Sequence, residues 1–171
     1  LLACVPVAYP WFLNNRPIGR NNQWGVAIVC GAPFDFGETM SEATQAWVAV
    51  GVRAVLGAHT QAQDAGRTDD VVALYTPDGV LELPGADPIG GHDALREAFK
   101  GWAPTQPQLH LVTNTVLTSW TDEEATAVSD VAFLQRGEAG WAVQVVGRYD
   151  DALRRHGGEW RLQRRKTTYQ A

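Results

Sequence analysis

From residue 42 to residue 64 the apolar positions recur at helical spacing. Val48, Val52, Val55, His59 and Ala62 lie three or four apart and form one stripe, which predicts an amphipathic helix over 42–64. Gly66 supplies a stop. Thr68 reads as the N-cap of a second, short helix, with Asp69 and Asp70 in its first turn and Val71, Val72, Leu74 and Tyr75 as its apolar contacts. Pro77-Asp78-Gly79 reads as a turn, Val80 to Leu83 as a short strand, and 84–91 as a Gly/Pro loop. Ala94, Leu95, Ala98, Phe99 and Trp102 share one face of a third helix. Beyond it the period changes to two: 109–120, 125–134, 141–153 and 160–169 read as strands, the last pair joined by a turn at His156-Gly157-Gly158. Helices followed by hairpin-linked strands define an α+β class, with three N-terminal helices packed on a strongly curved antiparallel sheet.

Residues 1–39 break with this pattern. They show no sustained helical period, and Trp24 to Cys30 is the one segment that reads as a short strand. Both cysteines, Cys4 and Cys30, lie here, with four charged residues, Arg16, Arg20, Asp35 and Glu38. The expectation is a leader outside the folded domain, with Met40 as the true start and the preceding residues as upstream reading frame. Gly37-Glu38-Thr39-Met40 is compatible with a purine-rich ribosome-binding site before a start codon. The alternative is that Leu1-Leu2-Ala3-Cys4 resembles a lipobox, with Cys4 lipidated. The domain is then expected at 40–171, without cysteine.

Composition narrows the function classes. The 171 residues carry 14 basic and 19 acidic side chains, a net charge of −5, which argues against a nucleic-acid partner. No apolar run reaches the roughly 18–20 residues of a membrane span, and a cytoplasmic location is expected. The four histidines lack ligand spacing, so no metal is expected. There is no phosphate-cradling Gly-rich loop and no Gly-x-Ser-x-Gly elbow.

Six side chains stand out as site candidates. On a regular strand His110, Val112 and Asn114 share a face, which would put a polar patch in a pocket. Asp64 ends the first helix off the apolar stripe and reads as either a cap or a catalytic group. His59 continues the stripe inward. Tyr149 offers a phenol from a central strand. Asp130 interrupts the apolar run Val128–Leu134, either facing the pocket or paired with an arginine of a neighbouring strand. His92 and His156 read as solvated. Arg154, Arg155, Arg161, Arg164, Arg165 and Lys166 make a basic hairpin, an exposed face that could also bind an anionic substrate tail or a partner protein.

The order of local motifs adds a resemblance. It is carried by Asp64-Ala-Gly66 through Leu74-Tyr75 and Asp78-Gly79, then Ile89-Gly-Gly-His-Asp-Ala-Leu-Arg-Glu-Ala-Phe99 and His110-Leu-Val-Thr-Asn114. Gly147-Arg-Tyr-Asp-Asp151 and Gly158-Glu-Trp160 with Arg164-Arg165 complete it. In this order, residues 43–169 resemble the nuclear transport factor 2-like superfamily and its SnoaL-like branch. The resemblance implies a cone-shaped α+β barrel with a pocket between helices and sheet. It also implies cofactor-free chemistry and dimers. Members include polyketide cyclases, ketosteroid isomerases, scytalone dehydratases, epoxide hydrolases and non-catalytic proteins.

Residue by residue, the ketosteroid isomerase pattern fails. His59 stands in place of a tyrosine, and Leu83 in place of the general base. Glu82 is one residue away and so on the opposite face. The epoxide hydrolase set has its residue types in Asp130, Arg148 and Asp150, but not its spacing. The scytalone dehydratase pattern half matches: Asp64 and His110 fit, the second histidine is missing, and Gln63 and Leu83 replace its tyrosines. The implied function is a cofactor-independent lyase or isomerase, of dehydratase, isomerase or cyclase type, acting on a small apolar aromatic or polyketide-like ligand. His110 would be the acid/base and Asp64 its orienting partner or the base itself. His59, Asn114, Tyr149 and Asp130 would contact substrate, and a homodimer is expected. The alternatives are a non-catalytic ligand-binding or dimerisation module, or an accessory subunit of a ring-hydroxylating dioxygenase.

Overall fold

In a computed structural model, which describes residues 36–170 with side chains from residue 44, helix α1 runs Phe36–Asp64. It starts earlier than the expected residue 42 and is helical through Met40. Cys4, Cys30 and the strand expected at Trp24–Cys30 lie outside the described residues. Every member of the predicted stripe, Val48, Val52, Val55, His59 and Ala62, is buried. Each valine buried in this way contributes roughly 1.5–3 kcal/mol.

The helix ends as Gly66 requires. Gly66 adopts φ 69°, the Arg67 N–H donates to the Ala62 carbonyl at 2.9 Å and the Gly66 N–H to Gln63 at 3.0 Å. This crossed pair is a Schellman termination, which a left-handed glycine permits. The turn leads straight into α2 (Thr68–Ala73), so Thr68 is the first helical residue and makes no cap; Arg67 holds the cap position without a side-chain bond.

Tyr75 belongs to strand β1 (Tyr75–Glu82) rather than to the second helix. Pro77-Asp78-Gly79 is an irregularity inside that strand, where its register shifts between Tyr75 and Val80. Then follow β2 (Ile89–Gly90), α3 (His92–Gly101), β3 (Gln108–Trp120), β4 (Glu124–Gly137), β5 (Gly140–His156) and β6 (Glu159–Tyr169). Gly157 and Gly158 form the β5–β6 turn, both at positive φ.

The six strands are ordered β2-β1-β6-β5-β4-β3. The expected α+β architecture is present, with one refinement to the antiparallel sheet: β1 pairs with β6 in parallel, Val80 opposite Arg164 and Glu82 opposite Lys166. These strands are joined through α3 and four further strands, a long crossover that permits parallel pairing where a hairpin would not. The end strands β2 and β3 do not pair with each other, so the sheet is curved but unclosed. Register shifts in β3 between Thr113 and Val116, and in β6 around Gln163, add one residue each. Such bulges bend a sheet, here around the packed helices.

The core joins α1 to Val71, Val72, Leu95 and Phe99 from the other helices and to Leu81, Ala125, Ala127, Leu153 and Leu162 from the sheet. No helix among the described residues is long and apolar enough to cross a membrane.

Candidate functional site

A cavity of about 460 Å³ opens between the inner face of the sheet, the C-terminal end of α1 and α3. This falls in the range of small-molecule sites. Phe99, Trp102 and Phe133 give it aromatic walls, and His59, His110, Tyr149 and Arg165 give it polar ones.

His110 and Asp64 meet at this cavity. The Asp64 carboxylate takes the His110 ring at Nδ1 (2.5 Å) and the His110 backbone N–H at 2.7 Å, while Gln108 donates to it at 3.4 Å. Both side chains are about nine-tenths buried. Phe133 stacks on the imidazole, centroids 4.5 Å apart. The ring is thus fixed in position and tautomer: Nδ1 carries its proton toward Asp64, and Nε2 is the nitrogen left for chemistry. The Schellman turn ends α1 at Asp64 and lets the carboxylate reach β3 rather than cap its own helix.

A second cluster lies at the base of the same cavity. Arg165, 1% exposed, forms a bidentate pair with Asp151, Nε to Oδ1 at 2.8 Å and Nη2 to Oδ2 at 2.9 Å. Its guanidinium lies 4.0 Å from the centre of the Tyr149 ring. Its Nη1 donates to His59 Nδ1 at 3.3 Å. An arginine can only donate, so His59 Nδ1 accepts, and the His59 proton sits on Nε2, where it is donated to the Tyr75 hydroxyl at 3.2 Å. Both nitrogens of His59 are committed within the protein. His59 lines the cavity as expected, but it has no nitrogen to offer a substrate.

Burial, then Arg165, then His110, hold the His59 pKa well below the usual histidine value. The sign of the stability effect follows. In the unfolded chain His59 titrates near ~6.5, while in the folded protein it stays neutral. Below that pH the unfolded state takes up a proton that the folded state refuses. Stability is expected to fall with pH, by up to about 1.4 kcal/mol per unit from this residue alone. Urea midpoints at pH 7 and pH 5 should separate more in the native protein than in His59→Gln; equal separations would refute a neutral His59 in the folded state.

Asn114 and Asp130 are not in the cavity. The extra residue in β3 puts Asn114 at φ 52° and turns it outward, and Thr115 takes the inner position beside Ser129. On the outer face Asn114 donates to Asp130 at 2.9 Å and Arg148 pairs with Asp130 at 3.1 Å. The pocket position expected for both is thus corrected to the outer face, and the arginine partner weighed for Asp130 is Arg148. Glu82 also faces outward, as its one-residue offset requires, in a bidentate pair with Arg164. His92 is part-buried rather than solvated, donating to the Tyr75 carbonyl at 3.0 Å.

Arg165 and Thr167 are site residues that strand alternation does not reveal, whereas Asp151 follows it, two residues from the inward Tyr149. Trp160 and Leu162 face inward, and the extra Gln163 then passes the inner face to Arg165 and Thr167. The remaining arginines of the basic hairpin are more exposed: Arg154 pairs with Glu124, and Arg161 with Glu159. Among the described residues, no group of three or more His, Cys, Asp or Glu is placed to hold a metal ion.

A family model described as a SnoaL-like domain matches residues 45–166. No curated protein matches the chain. Three solved structures from Novosphingobium aromaticivorans are similar in fold. The first is a candidate scytalone dehydratase, 18% identical over 76% of this chain and 89% of that one, with a TM-score of 0.69. The second is a candidate aromatic ring hydroxylase, 26% identical over 71% and 88%, TM-score 0.64. The third is the beta subunit of a candidate aromatic-ring-hydroxylating dioxygenase, 18% identical over 74% and 92%, TM-score 0.63.

Proposed function

This chain belongs to the SnoaL-like domain family, and from that premise we propose that it is a cofactor-independent lyase or isomerase for a small oxygenated aromatic or polyketide-like ligand. The observation that carries the reading is the Asp64–His110 clamp beside an aromatic-walled cavity. A neutral imidazole with Nδ1–H held by a carboxylate is a competent base at Nε2. It takes a proton from a carbon next to a carbonyl, and Asp64 stabilises the imidazolium. In a dehydration the C–H electron pair becomes the new C=C bond as the β C–O bond breaks. The proton on Nε2 then leaves with the hydroxide as water. In an isomerisation the proton returns to a different carbon. One imidazole serves both steps when the two bonds lie on the same face of the ligand.

Conversion of 3-hydroxy-1-tetralone to 1-naphthol, followed by naphthol fluorescence, tests the dehydratase form. Deuterium uptake from solvent beside the carbonyl tests proton transfer alone. Absence of both across a panel of aromatic β-hydroxy ketones would favour the non-catalytic module.

The outer face of the sheet supports the homodimer. Leu109 and Leu111 on β3 and Val143 and Val146 on β5 are each at least 41% exposed. They line up across β4 in two rows, Leu109–Leu134–Val143 and Leu111–Ala132–Val146. Apolar rows of this kind mark interaction surfaces, and we assign this one to a second copy of the chain. Light scattering is expected to give twice the 18.6 kDa chain mass, and a Leu111→Lys variant should give the single mass; a monomeric native protein refutes the assignment.

A further inference from the structure

We propose that Phe133 is a positioning residue for proton transfer: its ring fixes the plane of the His110 imidazole and holds the positive charge that arrives when Nε2 takes a proton. This rests on the reading of His110 as the acid/base and adds a group that acts through it. His110, Phe133 and Val145 stand directly opposite one another across β3, β4 and β5, and all three line the cavity. Facing side chains in such a row are close enough to pack. The imidazole and the phenyl ring lie near-parallel, 25° apart with centroids at 4.5 Å. Asp64 holds the imidazole at its Nδ1 edge. That bond alone leaves the ring free to rock about the line from Nδ1 to the carboxylate, and rocking would swing Nε2 across the cavity. A flat neighbour against one face removes that freedom.

The two histidines of the cavity differ in what surrounds their rings. His59 meets Tyr75 and Phe99 edge-on, at 65° and 75°, and has the Arg165 guanidinium at Nδ1. A cation at its edge opposes a second positive charge. His110 has the opposite setting: a carboxylate at its edge and the electron-rich face of a phenyl ring against its plane. A cation over an aromatic face is attracted to it, so the stack strengthens as the imidazole becomes charged. Only interactions that strengthen on the way to the transition state speed the chemical step. The other ionisable groups around the cavity are His59 and Asp64 on α1, Tyr149 on β5, and Arg165 and Tyr169 on β6. A replacement of Phe133 leaves all of them in place.

Histidine ring-proton NMR against pH tests the stack without a substrate, the His110 signal being the one absent from His110→Ala. In Phe133→Leu its titration midpoint is expected to fall by about half a unit to one unit, the size of a cation–π contact. Phe133→Tyr, which keeps the aromatic face, should restore it. A leucine that merely let water in would move the midpoint the other way, because water eases the charging of a buried histidine. With a verified substrate, Phe133→Leu should lower kcat on the plateau of its pH–rate profile by up to about tenfold with KM little changed. A residue that only walled the ligand would raise KM and spare kcat. A midpoint unmoved or raised in Phe133→Leu, or lowered equally in Phe133→Tyr, overturns the proposal whatever the turnover. Native turnover in His110→Ala overturns the proton-transfer reading instead, and the midpoint then still decides whether Phe133 holds the imidazolium charge.

Discussion

Replacing His110 with Ala is expected to lower turnover of a verified substrate by about 10²–10⁴, the usual contribution of a positioned acid/base, with the near-ultraviolet circular dichroism unchanged. The side chain lies at the cavity wall and packs on one partner, Phe133, so its truncation removes a proton carrier without opening the core. Asp64→Asn sharpens the test. An amide in that place can donate to Nδ1, which would move the imidazole proton to Nε2 and leave no base facing the ligand. A loss on the order of 10² is expected from that change alone. If Asp64→Asn works at the native rate while His110→Ala does not, Asp64 is a helix-end residue and His110 acts without it. If both retain full activity, the chemistry lies elsewhere in the cavity.

The largest effect on stability is expected at the base of the cavity. Arg165→Met would leave the Asp151 carboxylate, 3% exposed, without its countercharge. Removing one member of a buried pair costs about 3–5 kcal/mol, which for a domain of this size lowers Tm by roughly 10–20 °C. Asp151→Asn should cost a similar amount. The double replacement Arg165→Met with Asp151→Leu should recover much of the loss, because an apolar pair of similar volume avoids desolvating two ions. Thermal unfolding of the three variants decides the point. Single variants within 1 kcal/mol of the native protein would mean that water reaches the pair. Arg165→Met has a second consequence: it frees His59 Nδ1 and removes one cause of its lowered pKa. The acid sensitivity assigned to His59 should weaken in the same variant.

The helical part of the fold was legible because its signal is local and repeated. The stripe from Val48 to Ala62 fixes the buried face of α1, and its inward side chains are those the spacing predicts. The strands were legible as strands, but their faces were legible only as far as the first bulge. Reading from His110, alternation is right at Val112 and wrong at Asn114. Reading from Trp160, it is right at Leu162 and then names Arg164 where Arg165 belongs. A bulge changes the face of every later residue in the strand while leaving little mark on its composition. Asp64 illustrates the other limit. Its place at a helix end is local information, but its partner is 46 residues away on a different element. Only the resemblance to a known family put the two together. The parallel pairing of β1 with β6 is likewise a property of the closed chain path, invisible to periodicity.

The extra residue at Gln163 bears on how this chain should be compared with others. A homologue lacking that residue would alternate cleanly and still turn the equivalents of Trp160, Leu162, Arg165 and Thr167 inward, because the pairing resumes on both sides of the bulge. The length of β6 is free at this position, whereas its phase is not. An ungapped alignment through Gln163 would set Arg164, which lies in water against Glu82, on top of another protein's equivalent of the dry Arg165. Two adjacent arginines would then be credited with each other's histories.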